Sequence, residues 1–267
     1  MRFSCKVFIP KNTSIPNDYR RYLLSLIKEA IKNSGSDGED FYNRFYSGKN
    51  TKPFTFSAYF PLKKEGEENK LDGDYFSFFF STNDYEFLMR VYNGLVEIKK
   101  RNDFDLFGTQ ITDIKNFFLF PEKNFTKNET IFKTLSPFLV RSLEDGDKYI
   151  YPEGFKIQTK DPEKDVSHWP YWEKSQNFIQ AFETSLTALV QKELPDYKGK
   201  IKVEKIDCVV VPVLHGSGNE EHEYKMTFPG LKGQIKIKAE PEVLKLFYDI
   251  GIGARRSEGF GMLEVVG

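Results

Sequence analysis

The stretch GIGARRSEGFGM, residues 251–262, sets Gly251, Gly253, Gly259 and Gly261 around the adjacent Arg255 and Arg256. Glycine reaches positive φ without penalty and lets a backbone N–H approach an anion, so such a loop can cradle a phosphate. The two guanidinium groups would add planar, bidentate phosphate contacts. A reading without a ligand also fits: four glycines permit a tight crossing of a helix and a strand. The loop lacks the Lys-Ser/Thr ending of a P-loop and follows a helix rather than a strand, which separates it from nucleotide-triphosphate cradles.

A second stretch, YNRFYSGKN (residues 42–50), interleaves aromatic and basic residues. There Tyr and Phe suit base stacking while Arg44 and Lys49 suit phosphates. The same residues fit a short helix packed by Phe41, Phe45 and Tyr46. His168, His215 and His222 lack metal-ligand spacing; His168 precedes a helix, and the other two flank GSGNEE in a hairpin or loop. Cys5 and Cys208 lie in strand-like runs without a CxxC pair, which argues against a disulfide framework or zinc site and fits a reducing compartment. GSDGED (residues 35–40) matches half a calcium loop without the remaining ligands and reads as a solvated turn. No cofactor and no metal are expected.

Composition narrows the classes further. Hydrophobic residues at 39% and charged residues at 29% describe a soluble globular chain. Lys plus Arg and Asp plus Glu both count 39, so an anion site must arise from local segregation of charge and not from a basic domain. MRFSCKVFIP alternates and stops at proline, unlike a signal peptide, and the apolar runs are too short for a membrane span. A cytoplasmic protein that does not enter membranes is expected.

The elements that would position these residues are readable in order. Residues 2–9 alternate as a half-buried strand. Tyr19, Tyr22, Leu23, Leu26, Ile27, Ala30 and Ile31 form one helical stripe, ended by the turn formers of NSGSDGED. FTFSAYF (54–60) and YFSFFFS (75–81) read as strands joined by a charged loop. Phe87, Leu88, Val91, Tyr92 and Leu95 make a second amphipathic helix, and a strand follows within 110–120. The sum is βαββαβ, the ferredoxin-like unit. The second half repeats the theme: a strand around 131–140, a linker-like stretch from Asp145, a helix carrying Phe178, Phe182, Leu186 and Leu189, strands in KIKVEKIDCVVVPVL and GQIKIKAE with a hairpin strand near 224–228, a helix at 241–249, and a closing strand in MLEVV. The fold class is therefore α+β, two ferredoxin-like (RRM-like) domains in tandem, 1–130 and 131–267, with the glycine-rich loop between the last helix and the last strand.

A late GxG, basic residues, GFG and a final strand, together with MRF opening a strand, LLSLIKEAIKNS on the first helix, KPFTFS at the second strand and FKTLSPFLV near the domain boundary, form an ordered set. This set resembles the CRISPR-associated endoribonuclease family that cuts precursor crRNA within its repeats, part of the repeat-associated mysterious protein (RAMP) superfamily. The resemblance implies tandem ferredoxin-like domains, in agreement with the pattern above. It also implies metal-independent cleavage: the 2′-hydroxyl attacks the neighbouring phosphate, leaving a 2′,3′-cyclic phosphate and a 5′-hydroxyl. The implied partners are CRISPR repeat RNA and subunits of an effector complex, with the chain a monomer or homodimer.

Many members of that family carry a histidine just after the first helix, a tyrosine on that helix and a lysine before the second strand. Lys52 of KPFTFS matches the lysine. Lys28 stands at the tyrosine position, and Tyr46 stands at or near the histidine position. No histidine precedes residue 168. Histidine suits general-base work because it titrates near neutral pH, whereas tyrosine and lysine titrate near 10. Clustered lysines favour one another's neutral form, and a cationic lysine offsets phosphorane charge or protonates the leaving oxygen. The expected roles are therefore charge stabilisation by Lys52 and proton transfer by Tyr46 or Lys28. A non-cleaving crRNA-binding subunit is the alternative that the missing histidine raises.

Overall fold

The computed structural model describes residues 1–48, 52–158, 169–217 and 224–266. The chain divides into two units, Met1–Glu122 and Lys123–Gly267. The division falls earlier than 130/131, because the first strand of the second unit already begins at Glu129.

In the first unit, β1 (Arg2–Phe8) turns Phe3, Cys5 and Val7 inward. Helix α1 (Arg20–Lys32) buries Leu23, Leu26, Ile27, Ala30 and Ile31, the stripe that three- and four-residue spacing dictates. Helix α3 (Tyr85–Arg101) opens on Asp84, whose carboxylate accepts from the Phe87 amide at 3.1 Å, and closes on Asn102 in the left-handed region. Strands β2 (Phe54–Tyr59), β5 (Tyr75–Thr82) and β8 (Asp113–Leu119) join β1 in a sheet of order β2-β5-β1-β8, antiparallel throughout. That order is the ferredoxin-like one. Both helices share one buried cluster with Phe54 and Phe56 of β2 and Phe76, Phe78 and Phe80 of β5.

Of the two readings of residues 42–46 the short helix holds, and the following loops carry hairpins. Residues 42–46 end a short helix, α2 (Gly38–Tyr46), with Phe41 buried and Phe45 and Tyr46 packed against the core. The charged loop between β2 and β5 folds back as a hairpin, β3 (Leu62–Glu65) with β4 (Glu68–Leu71). A smaller hairpin, β6 (Asp105–Leu106) with β7 (Thr109–Gln110), precedes β8.

The second unit repeats the arrangement with β9 (Glu129–Thr134), helix α4 (Phe178–Glu193), the long strands β13 (Lys202–Ser217) and β14 (Tyr224–Lys238), helix α5 (Pro241–Ile250) and β15 (Leu263–Val265). Its sheet order, β13-β14-β9-β15, is again ferredoxin-like and antiparallel. Inserted after β9 is a small sheet of β10 (Val140–Arg141), β11 (Tyr149–Pro152) and β12 (Trp172–Ser175). The linker-like reading from Asp145 is thereby corrected: Tyr149, Ile150 and Tyr151 are buried, with β11 paired in parallel to β12. The single strand expected over 131–140 is likewise split, because the chain bends at Leu135 and Ser136 between β9 and β10. Among the described residues no helix is long and apolar enough to cross a membrane.

Candidate functional site

Helix α5 starts on Pro241 at its first turn, buries Val243, Leu244, Phe247 and Ile250, and ends on Gly251 at φ 77°. From there the chain passes through a 3-10 turn, Arg256–Glu258, into β15. A distant segment closes this loop. The amides of Leu135 and Ser136 donate to the Met262 carbonyl, and the Met262 amide donates to Ser136 Oγ at 3.0 Å. The Gly261 amide donates to the Pro137 carbonyl at 2.9 Å, and the Ala254 amide to that of Leu139 at 2.8 Å. TLSP is thus the seat of the glycine-rich loop. At Gly253 and Gly261, φ 76° and 71°, the backbone packs so closely that a Cβ would strike the carbonyl of Leu139, two residues past this seat, and that of Ile252 within the loop.

The tight-crossing reading of these glycines therefore holds, and it removes part of the expected anion cradle. The amides of Ile252, Ala254, Glu258, Gly259 and Gly261 all bond within the unit. Among the described residues, those of Gly253, Arg255, Arg256 and Ser257 do not.

The two arginines separate. Arg256 is buried, and its Nη1 donates to the Ile250 carbonyl at 3.1 Å. Burial pushes its guanidinium down to about 10. The expectation that Arg256 meets a ligand is corrected on that ground: it ties the loop to the end of α5. Arg255 is half-buried and sits in the left-handed region at φ 56°. Its Nε donates to Tyr149 Oη and its Nη1 to Glu258 Oε2, both at 2.7 Å, while the guanidinium lies 4.9 Å over the Phe228 ring.

Glu258 Oε2 also lies 2.9 Å from Nε2 of the buried His215. Burial alone would raise the Glu258 carboxyl, yet the His215 hydrogen bond and the Arg255 charge hold it below the usual carboxylate range. Tyr149, Glu258 and His215 escaped the sequence reading as parts of this site. An arginine three residues before a glutamate inside the loop was the available signal; nothing local points to Tyr149 or His215.

In the first unit, three expected residues converge from separate elements. Tyr46 is the last residue of α2, Lys28 lies on α1, and Lys52 stands just before β2, where Thr82 Oγ1 holds the neighbouring Pro53 carbonyl at 2.6 Å. Lys28 Nζ is 5.3 Å and Lys52 Nζ 4.8 Å from the Tyr46 ring centroid. Tyr46 stacks on Tyr42 at 4.6 Å, and Lys32 Nζ lies 4.5 Å over Tyr42. Two parallel rings thereby face three ammonium groups, an arrangement favoured by the ring quadrupole. Tyr46 Oη is buried with no hydrogen-bond partner among the described residues. Burial, then the neighbouring Tyr42, raises its phenol above the usual range. Tyr46 accordingly favours its protonated form at neutral pH.

Arg44 is exposed but turned to Glu86 at 3.1 Å and laid over Phe41 at 4.6 Å. It forms a surface ion pair beside Arg90, which bridges Asp37 and Glu86. Lys49, His168 and His222 lie outside the described residues.

Tandem ferredoxin-like units with a glycine-rich loop before the last strand define a class, and the comparisons agree with it. The family model for the C-terminal part of the CRISPR-associated protein Cas6 matches residues 120–265. The chain belongs to the Cas6 family of CRISPR-associated proteins. Among curated proteins no match is found. Solved structures similar along the whole chain include one titled "An RAMP protein binding different RNA substrates" (TM-score 0.71, 17% identity, 100% of each chain). Another is "Characterization of a Cas6-related gene from Pyrococcus furiosus" (TM-score 0.68, 21% identity, 100% of this chain and 98% of that one). A third, "CRISPR associated protein Cas6", has a TM-score of 0.67 at 18% identity, covering 100% and 99%. At these identities the likeness speaks for the fold.

Proposed function

We propose that this protein binds CRISPR repeat RNA and cleaves it without a metal, through attack of the 2′-hydroxyl on the adjacent phosphate. The observation that carries this reading is the convergence of Lys28, Tyr46 and Lys52 on one aromatic ring. As the 2′-oxygen bonds to phosphorus, negative charge grows on the phosphorane oxygens; Lys52 offsets it. The P–O5′ bond breaks, and the 5′-oxygen takes a proton. With Tyr46 neutral, the Lys28 ammonium gives that proton, the 2′-hydroxyl proton leaves to solvent water, and the Tyr46 ring holds the two ammonium groups in place. In the second unit Arg255 and the amides of Gly253, Arg255, Arg256 and Ser257 receive phosphate oxygens. A structural relative that binds different RNA substrates supports the ligand class.

A second reading, binding without cleavage, is favoured by one feature: the first unit contains no histidine, and the described His215 is buried against Glu258. One experiment separates the two. Repeat RNA is incubated with the protein in EDTA, beside the same RNA carrying a 2′-deoxy at the cut site. Cleavage of the first alone supports the enzyme, and binding without cleavage of either supports the second reading. Cleavage that EDTA abolishes overturns the metal-independent mechanism.

A further inference from the structure

We propose that His215 is a positioning residue for phosphate recognition, acting through Glu258 to hold Arg255 with one edge turned outward. The inference rests on the reading that the glycine-rich loop holds RNA, and it concerns what gives that loop a fixed phosphate donor.

The geometry runs through four side chains of the second unit. His215 lies near the end of β13, opposite Met226 of β14, between the rings of Phe228 at 6.2 Å and Phe260 at 6.0 Å. It is 4% exposed; its Nε2 sits 2.9 Å from Glu258 Oε2, and its Nδ1 is buried with no partner among the described residues. The tautomer that fits carries its proton on Nε2, so the imidazole offers one donor to one carboxylate oxygen. That same oxygen accepts from Arg255 Nη1, Arg255 Nε is held by Tyr149 Oη, and the guanidinium plane rests on Phe228. Two edges and one face of Arg255 are engaged. Nη2 is left without an acceptor among the described residues, on a side chain 23% exposed.

A hydrogen-bond donor is the group this position calls for: it fixes the Glu258 carboxylate that orients Arg255, whereas an apolar ring would leave Glu258 with one bond fewer. Arg255 also has a backbone in the left-handed region, which a non-glycine residue keeps only where neighbours over-determine it. A guanidinium already ordered in this way loses little freedom on meeting a phosphodiester oxygen.

The test is a double-mutant cycle on RNA affinity, read by fluorescence anisotropy at several salt concentrations, with thermal melting of every variant. Arg255→Ala should weaken binding about tenfold and lower the salt slope by about one phosphate. His215→Phe, which keeps a ring but loses the donor, should reproduce most of that loss. His215→Gln, which returns a donor, should stay within about threefold of the parent protein, and the double variant should bind no worse than Arg255→Ala. Unchanged affinity in His215→Phe, failure of His215→Gln to restore binding, or losses that multiply in the double variant would overturn the proposal. Should Arg255→Ala itself bind RNA normally, the reading of the loop fails first, and the two failures are told apart. If His215→Phe does not fold, the imidazole 15N shifts of the unaltered protein decide. An Nε2–H tautomer that responds to added RNA is expected, and an Nδ1–H tautomer overturns the proposal.

Discussion

At the scale of single residues, the ring of Tyr46 and its hydroxyl make different claims. If the ring is what holds Lys28 and Lys52, Tyr46→Phe should cleave repeat RNA within about threefold of the parent rate, while Tyr46→Leu should lose at least tenfold. A Tyr46→Phe variant as slow as Tyr46→Leu would transfer the role to the hydroxyl. Lys52→Ala should slow single-turnover cleavage at least tenfold, in line with the loss of one electrostatic stabiliser of the transition state. Equal rates would remove Lys52 from the chemistry. Lys28, Tyr46 and Lys52 were legible as candidates because the ordered motifs around them align with a family pattern. The burial of Tyr46 Oη was not, because it depends on how α2 packs against α1, and that is a tertiary fact.

At the scale of elements, the glycine-rich loop and its TLSP seat behave as one object. Gly261→Ala must carry a Cβ at φ 71° into the Ile252 carbonyl. It should cost more than about 1 kcal/mol, read from urea midpoints. Ser136→Ala leaves the buried Met262 amide without its acceptor and should cost about 1–3 kcal/mol. The amphipathic helices and alternating strands were readable because one face of each meets a core, as Leu23, Leu26 and Ile27 do in α1 and Phe3, Cys5 and Val7 in β1. The small sheet around β11 was not readable. Tyr149–Pro152 is buried at every position, so it lacks a period of two, and acidic turn residues precede it. Residues 42–46 stayed open between loop and helix because Phe41 and Phe45, four apart, are too few to set a period. The inward turn of Arg256 carried no sequence signal, since an arginine beside glycines reads as a ligand group until its burial is known.

For the whole molecule, stability should fall on the alkaline side. Burial raises the Cys5 thiol far above its usual value near 9, raises that of Cys208 to about 12, and raises the Tyr46 phenol. Each group keeps its proton in the folded chain while the unfolded chain releases it, so above about pH 9 the unfolded state binds fewer protons. The stabilising contribution is whole below that pH and shrinks as pH rises through the folded values. The slope is about 1.4 kcal/mol per pH unit for each such group. Urea midpoints at pH 8 and 10.5 should therefore diverge, and Cys5→Val should narrow the gap. A gap unchanged by that substitution would clear Cys5 of the effect.

Ser136 and Met262 are 126 residues apart along the chain. Bringing such distant stretches together carries a closure entropy that nearer pairings avoid, which favours their meeting late on the route to the native state. Weakening a late contact shows up as faster loss of the native form and leaves the forward rate nearly untouched. In stopped-flow traces Ser136→Ala should thus steepen the decay at high urea while the recovery arm superimposes on the parent's, so the closed loop would be the last element a renaturing chain completes.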